Sequence, residues 1–212
     1  MDALPDNTNH NIAMSKVKVH EKIFRPMIKY SEISAAIDSV ADSLNRDFKD
    51  YEEPPTLLCV LNGAMPFTCE LMRRLDFDVV LSSIKATSYS GTDSTGVVNL
   101  MYCGDINSLR DKTVIICEDI VDTGTTTRRM KEELLRYGAK DVRICTMLLK
   151  PQQFKNTLIK QGLAPEGCTD EQASKQYPEY VGMNIGDEFI VGFGLDYNEL
   201  GRQNKDIYVL DE

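Results

Sequence analysis

The chain has 212 residues, 42% of them apolar and 27% charged, a balance that excludes a wholly disordered polymer and leaves material for one sizeable core. Subtracting 24 Lys and Arg from 33 Asp and Glu leaves a net charge of −9, so the overall field repels nucleic acid and anionic lipid, and any polyanion must bind at a local site. Two histidines, His10 and His20, supply neither a His-ligated metal cluster nor a Ser-His-Asp triad, and six cysteines spaced ten or more residues apart exclude CxxC redox and zinc patterns.

In chain order, residues 1–18 are polar and aperiodic and read as a frayed tail, followed by a single domain over 19–212. The opening lacks the basic and apolar regions of a signal peptide, and no apolar run approaches the ~18 residues of a membrane span, so a cytoplasmic protein is expected. Ile33, Ile37, Val40, Leu44 and Phe48 recur at three- and four-residue spacing and predict a helix with one buried face up to Phe48, after which Glu52, Glu53, Pro54 and Pro55 break the chain. Short apolar runs follow at 57–61, 79–84, 97–101, 114–117, 142–149, 189–191 and 208–210. Several are continuous rather than alternating, the pattern of strands buried on both faces of a parallel sheet. Helices are predicted over 66–75 and over 126–137, the latter ended by Gly138. Cys59, Cys117 and Cys145 fall inside apolar runs and read as reduced core residues, and 155–176 reads as a polar surface insertion. The alternation of strand and helix predicts a doubly wound α/β sheet, with ligands beyond the carboxyl ends of its strands.

The most informative stretch runs from Val114 to Thr127. An apolar strand ends on Glu118 and Asp119, and Asp122 follows in a loop of Thr and Gly. Gly124 permits a tight turn, and Thr123, Thr125, Thr126 and the free N–H groups of the helix start can surround a phosphate. The stretch is not a Walker A loop, because GxxxxGK[ST] is absent and no Lys lies between Lys112 and Lys131. Carboxylates beside a phosphate site repel the ligand unless they accept hydrogen bonds from sugar hydroxyls or share a divalent cation. A phosphorylated sugar meets that condition.

Glu118, Asp119, Ile120, Val121, Asp122, Thr123, Gly124 and Thr126 closely resemble the phosphoribosyl pyrophosphate motif of the type I phosphoribosyltransferases. The segment from Phe189 to Glu199, with Arg202 beyond it, resembles the C-terminal signature of the hypoxanthine-guanine branch. Leu57 to Ala64 resembles its first pyrophosphate loop, and Ser88-Tyr89-Ser90-Gly91 its mobile catalytic loop. The resemblance runs from about 20 to 210 in consistent order. It implies a mainly parallel central sheet flanked by helices, with a small hood formed by the chain ends. It also implies transfer of the phosphoribosyl group from phosphoribosyl pyrophosphate to a 6-oxopurine base, giving IMP or GMP, by a homodimer or homotetramer.

Residue by residue, the resemblance implies that Glu118 and Asp119 hold the ribose hydroxyls, that Asp122 is the base near purine N7, and that Asp122 to Thr126 wrap the 5′-phosphate. Asn62, Gly63 and Arg202 are implied on the pyrophosphate, Lys150 on the purine 6-oxo group, Phe189 stacked on the base and Ile190 in backbone contact with it. Asp196 is implied beside the purine and, with Glu118 and Asp119, on a Mg²⁺. Ser88 and Tyr89 belong to the implied lid. The chain departs from the common pattern at Asn62 and Thr125, where relatives often carry Lys. No basic residue follows Lys150 over 151–154, and the 155–176 segment is unusual. Members often have a non-proline cis peptide in the first loop, which Leu61-Asn62 does not reveal as sequence. A second reading, a non-catalytic regulator sensing phosphoribosyl pyrophosphate or a nucleotide, needs a basic face or an added helix-turn-helix, and the chain shows neither.

Overall fold

Continuous apolar strands require cover on both faces, and the chain supplies it with helices at either side of one sheet. The computed structural model describes residues 15–88, 98–174 and 178–211. In order these form β1 (Val17–Val19), β2 (Lys22–Ile28), α1 (Tyr30–Phe48), β3 (Thr56–Leu61), α2 (Met65–Met72), β4 (Val80–Ser88), β5 (Val98–Tyr102), β6 (Thr113–Val121), α3 (Thr125–Arg136), β7 (Asp141–Leu149), α4 (Pro151–Lys160), α5 (Asp170–Ser174), β8 (Tyr180–Asn184), β9 (Ile190–Val191) and β10 (Ile207–Leu210). Six strands make the central sheet in the order β5-β4-β3-β6-β7-β8, parallel throughout except for the β4–β5 edge pair. The remaining four, drawn from the two chain ends, make an antiparallel hood in the order β1-β2-β10-β9.

Alternation along each central strand sends neighbouring residues to opposite sides. Leu57, Ile115 and Cys117 pack with Ile33, Ile37 and Leu44 of α1 and Phe67 of α2. Leu58, Ile116 and Ile144 pack with Met130 and Leu134 of α3 and with Phe154 and Leu158 of α4. Both faces are therefore apolar, which is why these strands show no polar alternation. The helix predicted to Phe48 forms as read, with Ile33, Ile37, Val40, Leu44 and Phe48 buried and the Glu32 carboxylate accepting the Lys29 N–H at 3.0 Å in its first turn.

Several expectations are corrected. The tail does not reach residue 18: β1 opens at Val17 and pairs with β2, while residues 1–14 lie outside the described residues. The hood strands β1 and β2 and the central strand β8 escaped the periodicity reading, because they are short, half-exposed or interrupted by Pro26 and Gly182. The β6 strand does not stop at Cys117 but carries Glu118 to Val121, paired by backbone with β7 up to Val121 and Leu149. The 155–176 segment is no plain surface loop. It contributes most of α4 and all of α5 to the crossover between β7 and β8, burying Leu158, Ala164, Cys168 and Ala173 in the second core.

Because Leu158 is 1% exposed, Leu158→Ala should lower stability by about 2–5 kcal/mol, read as a fall in the urea midpoint. A neutral effect would return this crossover to the status of a surface insertion.

Candidate functional site

The site is located by topology. From β3 the chain moves outward to β4, then returns to place β6 on the other side of β3. The strand order reverses between β3 and β6, and crevices at such switch points receive ligands in doubly wound sheets. Pairing of β3 with β6 ends at Cys59 and Cys117. Beyond it β3 turns into the 62–64 loop, while Glu118 and Asp119 continue on β6 toward the gap. The cleft that results has a volume of about 290 Å³ and is lined by Asn62, Gly63, Glu118, Asp119 and Arg202 together with the loop after β6. The Leu61–Asn62 peptide, which carries the chain from β3 into the cleft, is cis.

One wall is the turn and helix start singled out from sequence as a candidate phosphate cradle. Gly124 caps α3 with φ 72° and ψ 0°, a left-handed conformation that glycine adopts without Cβ strain. The Thr123 hydroxyl lies 3.4 Å from the Thr125 N–H, and the buried Thr127 hydroxyl donates to the Gly124 carbonyl at 3.1 Å. The turn thus delivers the N-terminus of a twelve-residue helix to the cleft, where N–H groups and the helix dipole favour an anion. Asp122, Thr123, Gly124, Thr126 and Thr127 line the cleft. Thr127 was missed from sequence, although it extends the same Thr run. Thr125 is not part of the lining. Its hydroxyl receives the Gln161 amide at 3.5 Å.

The second wall is acidic. Asp119 accepts the Ile120 N–H at 2.8 Å, whereas Glu118 Oε2 is shielded from solvent and has no hydrogen-bond partner among the described residues. Burial first, and then the neighbouring Asp119 charge, push the Glu118 carboxyl well above the usual carboxylate range. Burial also raises Asp119, partly opposed by the Ile120 N–H and by the Arg202 guanidinium. Two crowded carboxyls lining a cleft, one with an unsatisfied buried oxygen, suit a hard cation or the hydroxyls of a sugar.

Of the remaining residues singled out from sequence, Arg202 belongs to the cleft lining, and Asp196, Lys150, Phe189, Ile190 and Ser88 stand outside it. Arg202 is at the rim, donating to the Gly194 carbonyl at 2.8 Å and pairing with Asp196 at 2.7 Å. Asp196 is thereby engaged by Arg202, and among the described residues no group of three or more His, Cys, Asp or Glu side chains is arranged to hold a metal. Lys150, at the end of β7, is 9% exposed, with Nζ 3.5 Å from Asp122 Oδ2 and 3.5 Å from the Asp187 carbonyl. The Asp187 contact has no sequence signal. Phe189 is 45% exposed and lies against Phe24 and Tyr197 in the hood, lining a neighbouring cleft with Arg25 and Glu188. Ile190 is buried and pairs with Val209. Ser88 ends β4 and pairs by backbone with Val98, and Tyr89 lies outside the described residues with the rest of the expected lid.

Comparison with known proteins adds independent observations. The phosphoribosyl transferase domain family matches residues 29–198. A hypoxanthine-guanine phosphoribosyltransferase from Streptococcus pyogenes is 36% identical over 166 residues, covering 77% of this chain and 82% of that protein. Among solved structures, a hypoxanthine-guanine phosphoribosyltransferase from Bacillus anthracis superposes with a TM-score of 0.70 at 31% identity, covering 88% of this chain and 98% of that one. A variant of the hypoxanthine phosphoribosyltransferase from Trypanosoma cruzi, complexed with the product IMP, gives a TM-score of 0.72 at 26% identity, covering 92% and 93%.

The acidic wall also makes a stability prediction. A carboxyl raised by folding binds its proton more tightly in the folded state, so its contribution is complete below about pH 4.3, the ordinary glutamate value, and is lost as pH rises through the raised value. Glu118→Gln removes that dependence. The variant should gain stability relative to the native protein as pH increases from acid to neutral, measured by urea midpoints across the range. A difference that does not change with pH would contradict the burial of this charge.

Proposed function

Since the chain belongs to the phosphoribosyl transferase domain family, we propose that it is a purine salvage enzyme that moves the 5-phosphoribosyl group from phosphoribosyl pyrophosphate to N9 of hypoxanthine or guanine, giving IMP or GMP and pyrophosphate. The observation that carries this reading is the cleft itself: a helix N-terminus built for a phosphate stands beside two crowded carboxyls at the switch point of the sheet. Relatives that share most of the chain are named for this activity. Nothing supports the regulator reading.

In this proposal Asp122 to Thr126 hold the 5′-phosphate, mainly through the backbone N–H groups at the start of α3, and Glu118 and Asp119 hold the ribose hydroxyls. Asn62 and Gly63 offer backbone groups to the pyrophosphate, with Arg202 as the charged partner. The base lies between the cleft and the hood, its 6-oxo group toward Lys150 and its ring against Phe189, with Ile190 in backbone contact. Asp122 takes the N7 proton, which raises electron density at N9 as N9 bonds to C1′ and pyrophosphate departs with the electrons of the broken bond. Glu118 and Asp119 fit a Mg²⁺, which commonly takes one or two carboxylates and fills its shell with water and substrate oxygens. When bound it neutralises charge on the leaving group. Asp196 joins that shell only if Arg202 releases it. Shielding of the reaction from water is assigned to the lid expected at Ser88 and Tyr89, which lies outside the described residues from Tyr89 onward.

No helix among the described residues is long and apolar enough to cross a membrane. A cytoplasmic homodimer or homotetramer is part of the proposal. The direct test is incubation with phosphoribosyl pyrophosphate, Mg²⁺ and a panel of hypoxanthine, guanine, xanthine and adenine, following nucleotide and pyrophosphate. Failure to form nucleotide from any oxopurine would sink the reading, and full activity in excess chelator would remove the cation from it.

Two substitutions test the residue roles. Asp122→Asn preserves shape and should fold normally, but turnover should fall by roughly 10²–10⁴, the usual value of a positioned base. Native turnover would dismiss Asp122 as the base. Lys150 has three donors and no acceptor, so it meets the amino group of adenine with a mismatch. A site built on such a bond rejects the mismatched analogue by roughly 10⁴. Lys150→Met should therefore depress kcat/KM for hypoxanthine and guanine far more than for adenine. A ratio that survives the substitution would show that another group reads position 6.

A further inference from the structure

Of the run from Asp196 to Glu199, the proposed function uses only Asp196, yet the turn around it is held in a form that its own sequence disfavours. Asn198 and Glu199 have φ of 48° and 70°, in the left-handed region, where a residue with a Cβ persists only if its surroundings determine it. Within the turn, the Asp196 carboxylate accepts the Glu199 N–H at 2.8 Å. Tyr197 exchanges backbone hydrogen bonds with Leu200, donating at 2.9 Å and accepting at 3.2 Å. The same Asp196 holds Arg202 at 2.7 Å, so this turn sets where the arginine of the cleft stands.

Further support comes from the other end of the chain. The turn from β1 into β2 grips 197–198 with three consecutive side chains. His20 Nε2 meets the Asn198 carbonyl at 3.0 Å, where only a ring N–H can donate. The Glu21 carboxylate accepts the Tyr197 hydroxyl. Lys22 Nζ stands 4.4 Å from the centre of the Tyr197 ring and 5.7 Å from that of Phe189, within reach of a cation–π attraction. The Tyr197 ring meets Phe189 edge to face, with centres 5.8 Å apart and planes at 86°, a favourable arrangement for an aromatic pair. Phe189 is half exposed, and a ligand that stacks on an unbraced ring must first order it. Tyr197 removes that cost in advance.

We propose that Tyr197 is a positioning residue, clamped by the β1–β2 turn, that fixes the stacking ring of Phe189 and the Asp196–Arg202 pair relative to each other. It acts through these neighbours and not on the substrates. The kinetic role rests on the proposed transferase reading, whereas the clamp does not. Because the brace serves both substrates before any bond changes, its loss should raise both KM values and leave kcat near native. A tyrosine with a merely structural role would lower the urea midpoint and leave both KM values unchanged while the chain stays folded.

The test uses the full chain, with hypoxanthine and phosphoribosyl pyrophosphate varied in turn and folding followed by urea midpoints. Tyr197→Leu removes ring edge and hydroxyl together, and both KM values should rise by roughly two- to tenfold, the worth of an edge-to-face pair. Glu21→Ala and Tyr197→Phe each remove only the hydroxyl contact, and each should raise both values by roughly two- to fourfold. The double variant should be no worse than the larger single effect, since one contact is lost once. Glu21→Gln keeps an acceptor and should behave as the native chain. Hydrogen exchange in Glu21→Ala should rise at the amides of 189–190 and 196–200 and stay unchanged along β7.

Native KM values in folded Tyr197→Leu and Glu21→Ala overturn the proposal. A rise confined to one substrate overturns it too, because the two features are then unlinked, and additive effects in the double variant overturn the shared contact. If Tyr197→Leu fails to fold, Glu21→Ala decides, since it lies on an exposed turn. If the native chain makes no nucleotide from any oxopurine, the functional reading falls and hydrogen exchange decides the clamp. A rise at 196–200 in Glu21→Ala then supports it, and an unchanged pattern removes it.

Discussion

The place where a side chain on Gly63 would begin is filled by the Asp119 carboxylate: a Cβ built there would lie 1.6 Å from Asp119 Oδ2. The carbonyl of the same Gly63 meets the hood, lying 1.9 Å from where a Cβ on Gly194 would stand. Three segments distant in sequence therefore close on one glycine: the loop after β3, the end of β6 and the turn after β9. Any side chain at 63 must drive the acidic wall away from the loop after β3. One at 194, where φ is +98°, must also lift the turn that carries Arg202 into reach. The three segments approach this closely because these two positions have no side chain: the Asp119 carboxylate takes the space at 63, and the Gly63 carbonyl takes the space at 194.

The frame of this arrangement was legible from the sequence because it depends on local pattern. Continuous apolar runs at 57–61 and 142–149 reveal strands covered on both faces, and the three-and-four spacing up to Phe48 reveals the first helix. The Asp-Thr-Gly run after paired carboxylates points to a tight turn into a helix, and the turn forms with Gly124 left-handed at the helix start. What escaped has no local signature. The hood strand β2 gains its partner β10 from about 180 residues further along the chain, and β1 is held only through β2. The 155–176 segment looked like surface because its polar residues outnumber Leu158, Ala164 and Cys168, the few that reach the core. Neither the Asp187 carbonyl beside Lys150 nor the ion pair between Arg202 and Asp196 could be inferred, because both depend on how two loops meet.

An acidic chain that takes up a polyanion must solve an electrostatic problem, and the structure does so without a basic patch. The two cations singled out at the cleft already have acidic partners: Lys150 has Asp122, and Arg202 has Asp196 at 2.7 Å and Glu199 at 3.6 Å. Further positive potential comes from the helix N-terminus, which costs no side-chain entropy on binding. Glu118 adds an unsatisfied buried oxygen, a group that gains when a cation or a hydroxyl donor arrives. In the proposed function this division is useful. The helix receives the phosphate that stays on the product, while the leaving pyrophosphate is held by groups that can let it go: backbone, one shared arginine and an exchangeable ion.

The contact between Lys150 and Asp122 joins recognition to chemistry in the same reading. A nearly buried ammonium is tolerated only with partners, and before a base arrives those partners are the Asp122 carboxylate and the Asp187 carbonyl, each 3.5 Å away. Both contacts are long. An incoming 6-oxopurine offers an acceptor to Lys150 and an N7 proton to Asp122, so each member of the pair exchanges a distant partner for one on the substrate. Adenine offers Lys150 a donor instead, so the ammonium keeps its hold on Asp122, and the carboxylate is less available to N7. A wrong base then fails twice, in binding and in activation, through one ion pair. Selectivity and proton transfer are in this way set by the spacing of two adjacent strand ends, β6 and β7, which the parallel ladder up to Val121 and Leu149 holds in register.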